Sequence, residues 1–177
     1  MKIFDMDELN EELRNQAIHL GLCDEWQKLW KKEWEREKMV EMMYRGLGFC
    51  IKYHYPSNDF ILKHFDIDFR RRSKVFVNDR YSVLNPEKSL ILGTSDIKVR
   101  YNACHSGIIH VRDNASVTIS AKNRSFVIVH LHERAAITAE QYDMAKIVIV
   151  KHSENTTINA DRNIKIREAY DEYRVDK

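Results

Sequence analysis

The chain is poor in the residues that usually punctuate or cross-link a fold. Its 177 residues include five glycines, two prolines and three cysteines; no proline follows Pro86 and no glycine follows Gly107. Cys23, Cys50 and Cys104 stand far apart without CxxC spacing, which indicates neither a disulfide framework nor a zinc knuckle. We therefore expect reduced thiols in a cytoplasmic protein.

The chain also lacks a dominant charge and a long apolar run. It carries 29 basic and 27 acidic side chains, a net charge of +2, so no global field favours nucleic acid or an anionic membrane. No apolar run approaches the roughly 18 residues that cross a bilayer. Acidic residues occupy the start of the chain, where a signal peptide needs an apolar segment. These absences predict no membrane association and no export.

Helical periodicity marks the first third of the chain. Leu9, Leu13, Ala17 and Leu20 fall on one stripe of a helix predicted over residues 7–20. A second, long helix is predicted from Asp24 to Gly46 or Gly48, and a short helix after Ser57.

Three tryptophans recur every four residues in the second predicted helix. Trp26, Trp30 and Trp34 form an aromatic strip, which either packs against the rest of the chain or binds a partner. A basic cluster follows at Arg70, Arg71, Arg72 and Lys74. Its side chains either bind phosphate or belong to a solvated linker, in which they pair with nearby aspartates.

The second half of the chain repeats every ten residues, in seven units that begin at 92, 102, 112, 122, 132, 142 and 152. Eleven of the fourteen residues at places six and eight are aliphatic. They are Ile97 and Val99, Gly107 and Ile109, Val117 and Ile119, Val127 and Val129, Ile137 and Ala139, Ile147 and Ile149, Thr157 and Asn159. Two aliphatic residues separated by one are typical of a strand with one buried face. Each unit therefore predicts one strand and one bend.

The bends distinguish a β-solenoid from an antiparallel meander. Tight hairpins need glycine or asparagine-glycine at positions of positive φ, and these bends contain almost no glycine. We expect solenoid corners to need no such residues. The outward places alternate in character from unit to unit, which predicts two strands per coil of about 20 residues. One sheet then carries an apolar outer column, Ile108, Ile128 and Val148, with Phe126 beside it.

The predicted fold class is α+β: an N-terminal helical region, residues 1–68, packed on a right-handed β-solenoid, residues 74–168, with a polar tail at 169–177. The strip of tryptophans and the apolar column both need cover. We therefore predict that the second helix lies across that sheet.

Five of the eight histidines lie in the repeats. Coils of 20 residues stack His110 under His130, and His132 under His152, about 4.8 Å apart. Neighbouring imidazoles can bind a first-row metal, but no carboxylate or thiolate completes the set, so the pattern favours a ladder of side chains without metal. The sequence has no phosphate-binding glycine loop, no GxSxG motif and no spaced acid pair. We predict neither cofactor nor enzymatic activity.

The repeats, about residues 89–167, resemble the bactofilin type of β-solenoid in segments such as "RDNASVTI", "YDMAKIVI" and "ERAAITAE". That resemblance implies short coils and polymerisation by end-to-end stacking. The segment "YRGLGFCIKYHYPSNDFILKHF" before a solenoid is similar to small phage and prophage proteins of the Bacteroides and Flavobacterium lineage. Some small phage proteins inhibit host defence nucleases by binding them, as anti-CRISPR proteins do.

The sequence therefore predicts a non-catalytic protein-binding module, in its narrower form a phage-derived inhibitor of a host defence nuclease. The candidate binding residues are Trp26, Trp30, Trp34, Arg70, Arg71, Arg72 and Phe126. One alternative is a structural protein that self-assembles through its solenoid ends, as a homo-oligomer. Another is an accessory protein that contacts nucleic acid through the basic cluster. A helix-turn-helix is a separate possibility, and it is disfavoured because the segment after Ser57 offers only Lys63 and His64 for reading base edges.

Overall fold

The computed structural model describes residues 6–169, which form two compact units. The helical unit extends to Asp66 and the solenoid unit begins at Ile67. Helices followed by parallel strands confirm the α+β class. Residues 67 and 68, which the sequence prediction assigned to the helical region, are grouped with the solenoid unit. Residues 170–177, most of the predicted polar tail, lie outside the described part.

Five helices form the described part of the helical unit: α1 (Met6–His19), α2 (Asp24–Leu29), α3 (Arg36–Arg45), α4 (Leu47–Tyr53) and α5 (Asn58–His64). Three of the four residues of the predicted stripe, Leu9, Leu13 and Ala17, are buried in α1, whereas Leu20 is half-buried and follows the helix. The predicted cap of α5 is confirmed. The backbone N–H of Phe60 donates to the Ser57 hydroxyl at 3.2 Å.

The prediction of one long helix after Asp24 is wrong, because the chain leaves the helix at residues 30–35. The cause is Asn10 of α1, which is 1% exposed. Its side-chain amide donates to the carbonyls of Lys31 and Lys32, both at 3.0 Å, and its oxygen accepts from the Trp30 indole N–H at 2.6 Å. Buried polar groups must find partners, so these hydrogen bonds outweigh the local helical periodicity.

The solenoid unit opens with α6 (Ile67–Arg72) and continues with eleven strands. They are β1 (Val75–Val77), β2 (Arg80–Leu84), β3 (Lys88–Leu92), β4 (Asp96–Tyr101), β5 (Ser106–Val111), β6 (Ser116–Ala121), β7 (Phe126–Leu131), β8 (Ala136–Gln141), β9 (Lys146–Lys151), β10 (Thr157–Ala160) and β11 (Lys165–Glu168). The odd strands make sheet A, β1-β3-β5-β7-β9-β11, and the even strands make sheet B, β10-β8-β6-β4-β2. Every strand pair is parallel, which confirms the two-strand coil.

The register confirms the period of 20 residues in the middle of the stack. In sheet A, Ile108 pairs with Ile128, and Ile128 pairs with Val148, so the predicted outer column exists. The first and last coils depart from the period: Arg80 pairs with Asp96, and Lys165 pairs with Val148. The right hand of the coil stays a prediction. Cover of this column was predicted for one long second helix, which the structure does not contain, and Ile108 is 42% exposed.

Aliphatic side chains from both sheets form a continuous core between them. Gly107 stands at a core place in β5 for a steric reason. A Cβ there would overlap the hydroxyl oxygen of Tyr101, which donates a hydrogen bond to the Pro86 carbonyl at 2.6 Å. The buried tyrosine therefore fills the space that an aliphatic residue fills in the other units.

The corners are built differently from the sequence prediction. Backbone φ is positive, between 55° and 65°, at the second place of five successive units: Ala103, Asp113, Asn123, Glu133 and Asp143. We expected corners without such positions, and that premise is wrong although the solenoid it supported is confirmed. Aspartate and asparagine tolerate the left-handed region best among non-glycine residues, and they occupy three of the five places.

Acidic corner residues also join successive coils. The backbone N–H of Gly93 donates to the Asp113 carboxylate at 2.6 Å, and that of Asn123 donates to Asp143 at 3.0 Å. Each bond links a corner to the residue 20 positions later. The corner side chains thus satisfy backbone groups that the strands leave unpaired.

Candidate functional site

Two large apolar side chains lie exposed side by side on the outer face of sheet A. Ile108 is 42% exposed and Phe126 is 41% exposed, while Ile128, the strand partner of Ile108, is half-buried. We call these three residues the outer patch. The sequence predicted that Phe126 faces outward, and the structure confirms its place; its binding role stays a prediction.

The surroundings of the outer patch are polar and open. A shallow depression there is lined by the patch together with Glu87, Cys104, His105, Ser106 and Gly107. Small polar side chains, such as those of Ser116, Thr118 and Ser120, clothe the outer face of sheet B instead. In the middle of the stack the two faces of the solenoid therefore differ in chemistry, whereas Leu84 in β2 at one end of sheet B is also exposed, at 53%.

The three tryptophans line a cavity inside the helical unit. Its volume is about 360 Å³, and its wall includes Trp26, Trp30 and Trp34. The rings of Trp30 and Trp34 lie 5.2 Å apart at 31°. The sequence prediction treated these residues as a strip on one straight helix. The helix break at residues 30–35 instead wraps them around a common space, which we call the tryptophan cavity.

Most of the other cavity residues are apolar, and many are adaptable. They include Leu13, Leu22, Met39, Val40, Met42, Met43, Phe49, Cys50, Tyr55, Pro56 and Phe65. The sequence signal for this cavity was the run of methionines after the tryptophans, because methionine and tryptophan together are typical of adaptable apolar sites. The sequence analysis missed it because only the tryptophans stood out at helical spacing.

Two of the three arginines of the basic cluster are engaged within the solenoid unit. Arg70 is 8% exposed and donates to the carbonyl of Val77 at 3.1 Å. Arg71 makes two hydrogen bonds to the Asp79 carboxylate, at 2.9 and 2.8 Å. These hydrogen bonds hold the pKa of Asp79 below its usual range. Arg70 and Arg71 therefore join α6 to the first turn of the solenoid.

Ring contacts complete the environment of the basic cluster. The Arg71 guanidinium lies 4.4 Å from the ring centre of Tyr81, and that of Arg72 lies 6.0 Å from the ring centre of Phe69. Arg72 is exposed and Lys74 is half-buried. Phosphate binding by this cluster stays a prediction, and Arg72 is its most accessible residue.

Four histidines form a stack at one corner of the solenoid, which we call the histidine ladder. The rings of His110 and His130 lie 4.4 Å apart at 2°, and those of His132 and His152 lie 4.5 Å apart at 8°, as the 20-residue period predicted. Hydrogen bonds that the sequence did not predict join the column of His110 and His130 to the column of His132 and His152. Nδ1 of His110 lies 3.2 Å from Nε2 of His132, and Nδ1 of His130 lies 2.8 Å from Nε2 of His152.

The hydrogen bond of His152, the last residue of the ladder, determines its own tautomer and that of His130. Nδ1 of His152 donates to the carbonyl of Ala169 at 2.7 Å, so a neutral His152 accepts at Nε2 from Nδ1–H of His130. Ring lone pairs lie in the ring planes, and parallel rings do not aim them at one point. No three of these histidines bring ligand atoms within 4.8 Å of one another. The geometry thus suits hydrogen bonding rather than chelation.

Burial favours the neutral form of three rings of the ladder, His110, His130 and His132. It lowers the pKa of His110 to about 3 and that of His130 to about 4, with a smaller contribution from the neighbouring imidazoles. The pKa of His132 is lowered too, chiefly by burial.

None of the helices in residues 6–169 is long and apolar enough to cross a membrane.

Parallel strands in coils of 20 residues are consistent with the bactofilin-like solenoid that the repeats resemble. No protein-family model, no curated protein and no solved structure matches the chain.

Proposed function

We propose that the protein is a non-catalytic binding module that holds a protein partner on the outer patch. The observation that carries the proposal is the exposure of Ile108 and Phe126 in adjacent rungs of one sheet. Exposed apolar patches with polar surroundings are typical of protein interfaces, and aromatic side chains contribute most at their centres. The strands beneath hold both side chains in fixed positions, so binding costs little ordering entropy.

The other candidate residues support this choice by their placement. Arg70 and Arg71 are engaged with Val77 and Asp79, and the tryptophans line an internal cavity. Of the predicted binding residues, Phe126 is the one whose side chain lies exposed on a flat, regular surface. The narrower prediction, an inhibitor of a host defence nuclease of the anti-CRISPR type, rests on the resemblance to phage proteins alone.

Photocrosslinking tests the proposal directly. A benzoyl-phenylalanine placed at position 126 should crosslink one partner in cells of the native host, and the same residue at position 118, on the outer face of sheet B, should not. Ile108→Lys, in the protein that carries the crosslinker at 126, should abolish the adduct without changing the melting temperature by more than about 2 °C, since surface substitutions cost little stability. Equal adducts from positions 126 and 118 would contradict a specific patch.

A second candidate function, self-assembly through the C-terminal end, is favoured by one observation. Ile166 of β11 pairs with the buried core residue Ile149 of β9 at the last rung of sheet A, and it is 49% exposed. The N–H of Ala169 donates to the carbonyl of Lys151 in β9. Every second residue of a strand points its backbone groups the same way, so those of Ile166 and Glu168 point away from β9, to a side on which no strand of residues 6–169 pairs. Such an edge is a template for another strand.

Charge makes this second candidate testable. Antiparallel pairing of two copies about Ile166 places Lys165 opposite Arg167 of the other copy, and like charges oppose the pairing. Sedimentation velocity over a range of protein concentrations should show association that strengthens with salt and with Arg167→Glu, and that is lost in Ile166→Asp. If the Arg167→Glu variant sediments as a monomer at high salt and at every protein concentration, assembly through this edge is ruled out.

A further inference from the structure

The helical unit contains a binding site that is independent of the outer patch. We propose that the tryptophan cavity binds an amphipathic carboxylate, with its apolar chain among the tryptophans and methionines and its charged group on Arg45. The volume of about 360 Å³ lies in the range, about 300 to 1,000 Å³, that holds small-molecule ligands. Every residue that lines this cavity lies between Leu13 and Phe65, so the site belongs to one compact unit.

The polar groups around the cavity point to an apolar ligand body. The Tyr55 hydroxyl donates to the carbonyl of Leu13 at 2.8 Å, and the Trp30 indole N–H donates to Asn10 at 2.6 Å. The Cys50 thiol lies 3.7 Å from the carbonyl of Met43. These three groups already have partners in the protein, so they are not available to a polar ligand. An interior of this kind accepts hydrocarbon rather than sugar or nucleotide.

Arg45 supplies the charge that selects an anionic head. It lines the cavity, its side chain is exposed at the end of α3, and its guanidinium lies 3.6 Å from the Met42 sulfur. Within residues 6–169, no carboxylate forms a salt bridge with it. The charge of Arg45 contributes to the lowered pKa of exposed Glu41, but the two form no salt bridge. An arginine without a salt-bridge partner beside an apolar cavity matches a carboxylate in charge and in geometry.

The wall is built to adapt to a flexible chain. Met39, Met42 and Met43 project from one helix, α3, into the cavity, and methionine side chains repack at low cost around ligands of irregular shape. The absence of a Cβ at Gly46 leaves room for Trp26, whose ring would lie 3.3 Å from that atom. The ligand is therefore expected to be a linear or lightly branched chain rather than one rigid shape.

Tryptophan fluorescence provides a direct measurement, because all three tryptophans of the chain line the cavity. Decanoate below its micellar concentration should change the emission saturably with one site per chain. Decanol should bind the same site more weakly. Arg45→Gln should weaken decanoate about fivefold, the size of a partly exposed ion pair, and leave decanol unchanged. Arg14→Gln, in the same unit but outside the cavity, is the matched control.

Val40→Phe tests the position of the ligand, because residue 40 lines the cavity and the phenylalanine ring takes up part of its volume. With its helical circular dichroism intact, this variant should bind both ligands more weakly than the wild type. Unchanged affinity for both ligands in a folded Val40→Phe protein would refute the cavity as the site, and so would unchanged emission of the wild type with either ligand. Equal affinity for decanoate in wild type and Arg45→Gln would refute the role of the carboxylate. None of these results depends on the outer patch.

Discussion

Acid should loosen the solenoid at a pH where most proteins are still stable, because of the histidine ladder. His110 and His132 are buried and neutral in the folded chain, and their pKa values lie below the ordinary value of 6.5. In the unfolded chain both rings take up protons as the pH falls through 6.5. The two neutral rings therefore cost no stability above pH 6.5. The free energy of unfolding declines steadily as the pH falls from 6.5 toward the folded pKa of about 3 for His110.

The expected loss is large beside the stability of a domain. A pH of 5 lies 1.5 pH units below the ordinary histidine pKa of 6.5, and each unit corresponds to about 1.36 kcal/mol. Each buried, neutral ring therefore lowers the free energy of unfolding at pH 5 by about 2 kcal/mol. His110 and His132 together cost about 4 kcal/mol, out of a total that is typically about 5 to 15 kcal/mol. His130, which is half-buried, adds to this loss.

Hydrogen exchange with mass spectrometry is the suitable assay, since the tryptophans report only on the helical unit. The free energy of opening of peptides from β5 to β9 should fall by about 4 kcal/mol between pH 7.5 and pH 5. The double variant His110→Gln, His132→Gln should lose most of this pH dependence, whereas His105→Gln, an exposed histidine, should keep it. The same pH dependence in the double variant and in the wild type would refute the reasoning.

Three further variants test the packing and the corners. Gly107→Ala should destabilise the solenoid by about 2 to 3 kcal/mol, because its Cβ overlaps Tyr101, as measured by urea unfolding. Ala103→Gly should stabilise it by about 1 kcal/mol, since φ there is 58°; a loss would contradict corner strain. Asp79→Asn should cost about 2 kcal/mol at pH 7 by weakening both bonds from Arg71, and hydrogen exchange in β1 should rise.

The solenoid was predictable because its information is local and repeated. A shift of one residue would turn every core side chain outward, so alternating aliphatic places define the strands and their buried faces. The polar or apolar character of the outward places then distinguishes the two sheets. His110 over His130 and Ile108 beside Ile128 both follow from that single period.

The parts that escaped prediction depend on partners far away in the chain. The break at residues 30–35 requires Asn10, which lies at least 20 residues earlier, and this break brings the three tryptophans to one cavity. Positive φ at Ala103 and Glu133 is imposed by the coil and contradicts the preference of each residue. The contacts of Arg70 and Arg71 likewise depend on the first strand, which periodicity alone does not place against α6.

The uniform period from β5 to β9 makes the length of the protein adjustable in whole coils. Duplication of residues 112–131 would add one rung to each sheet and lengthen the stack by about 4.8 Å, with every aliphatic and corner position still in place. Duplication of ten residues would instead exchange the two faces beyond the insertion. Serines and threonines would then continue the line of Ile108. A family of chains made in this way could serve as molecular spacers of graded size.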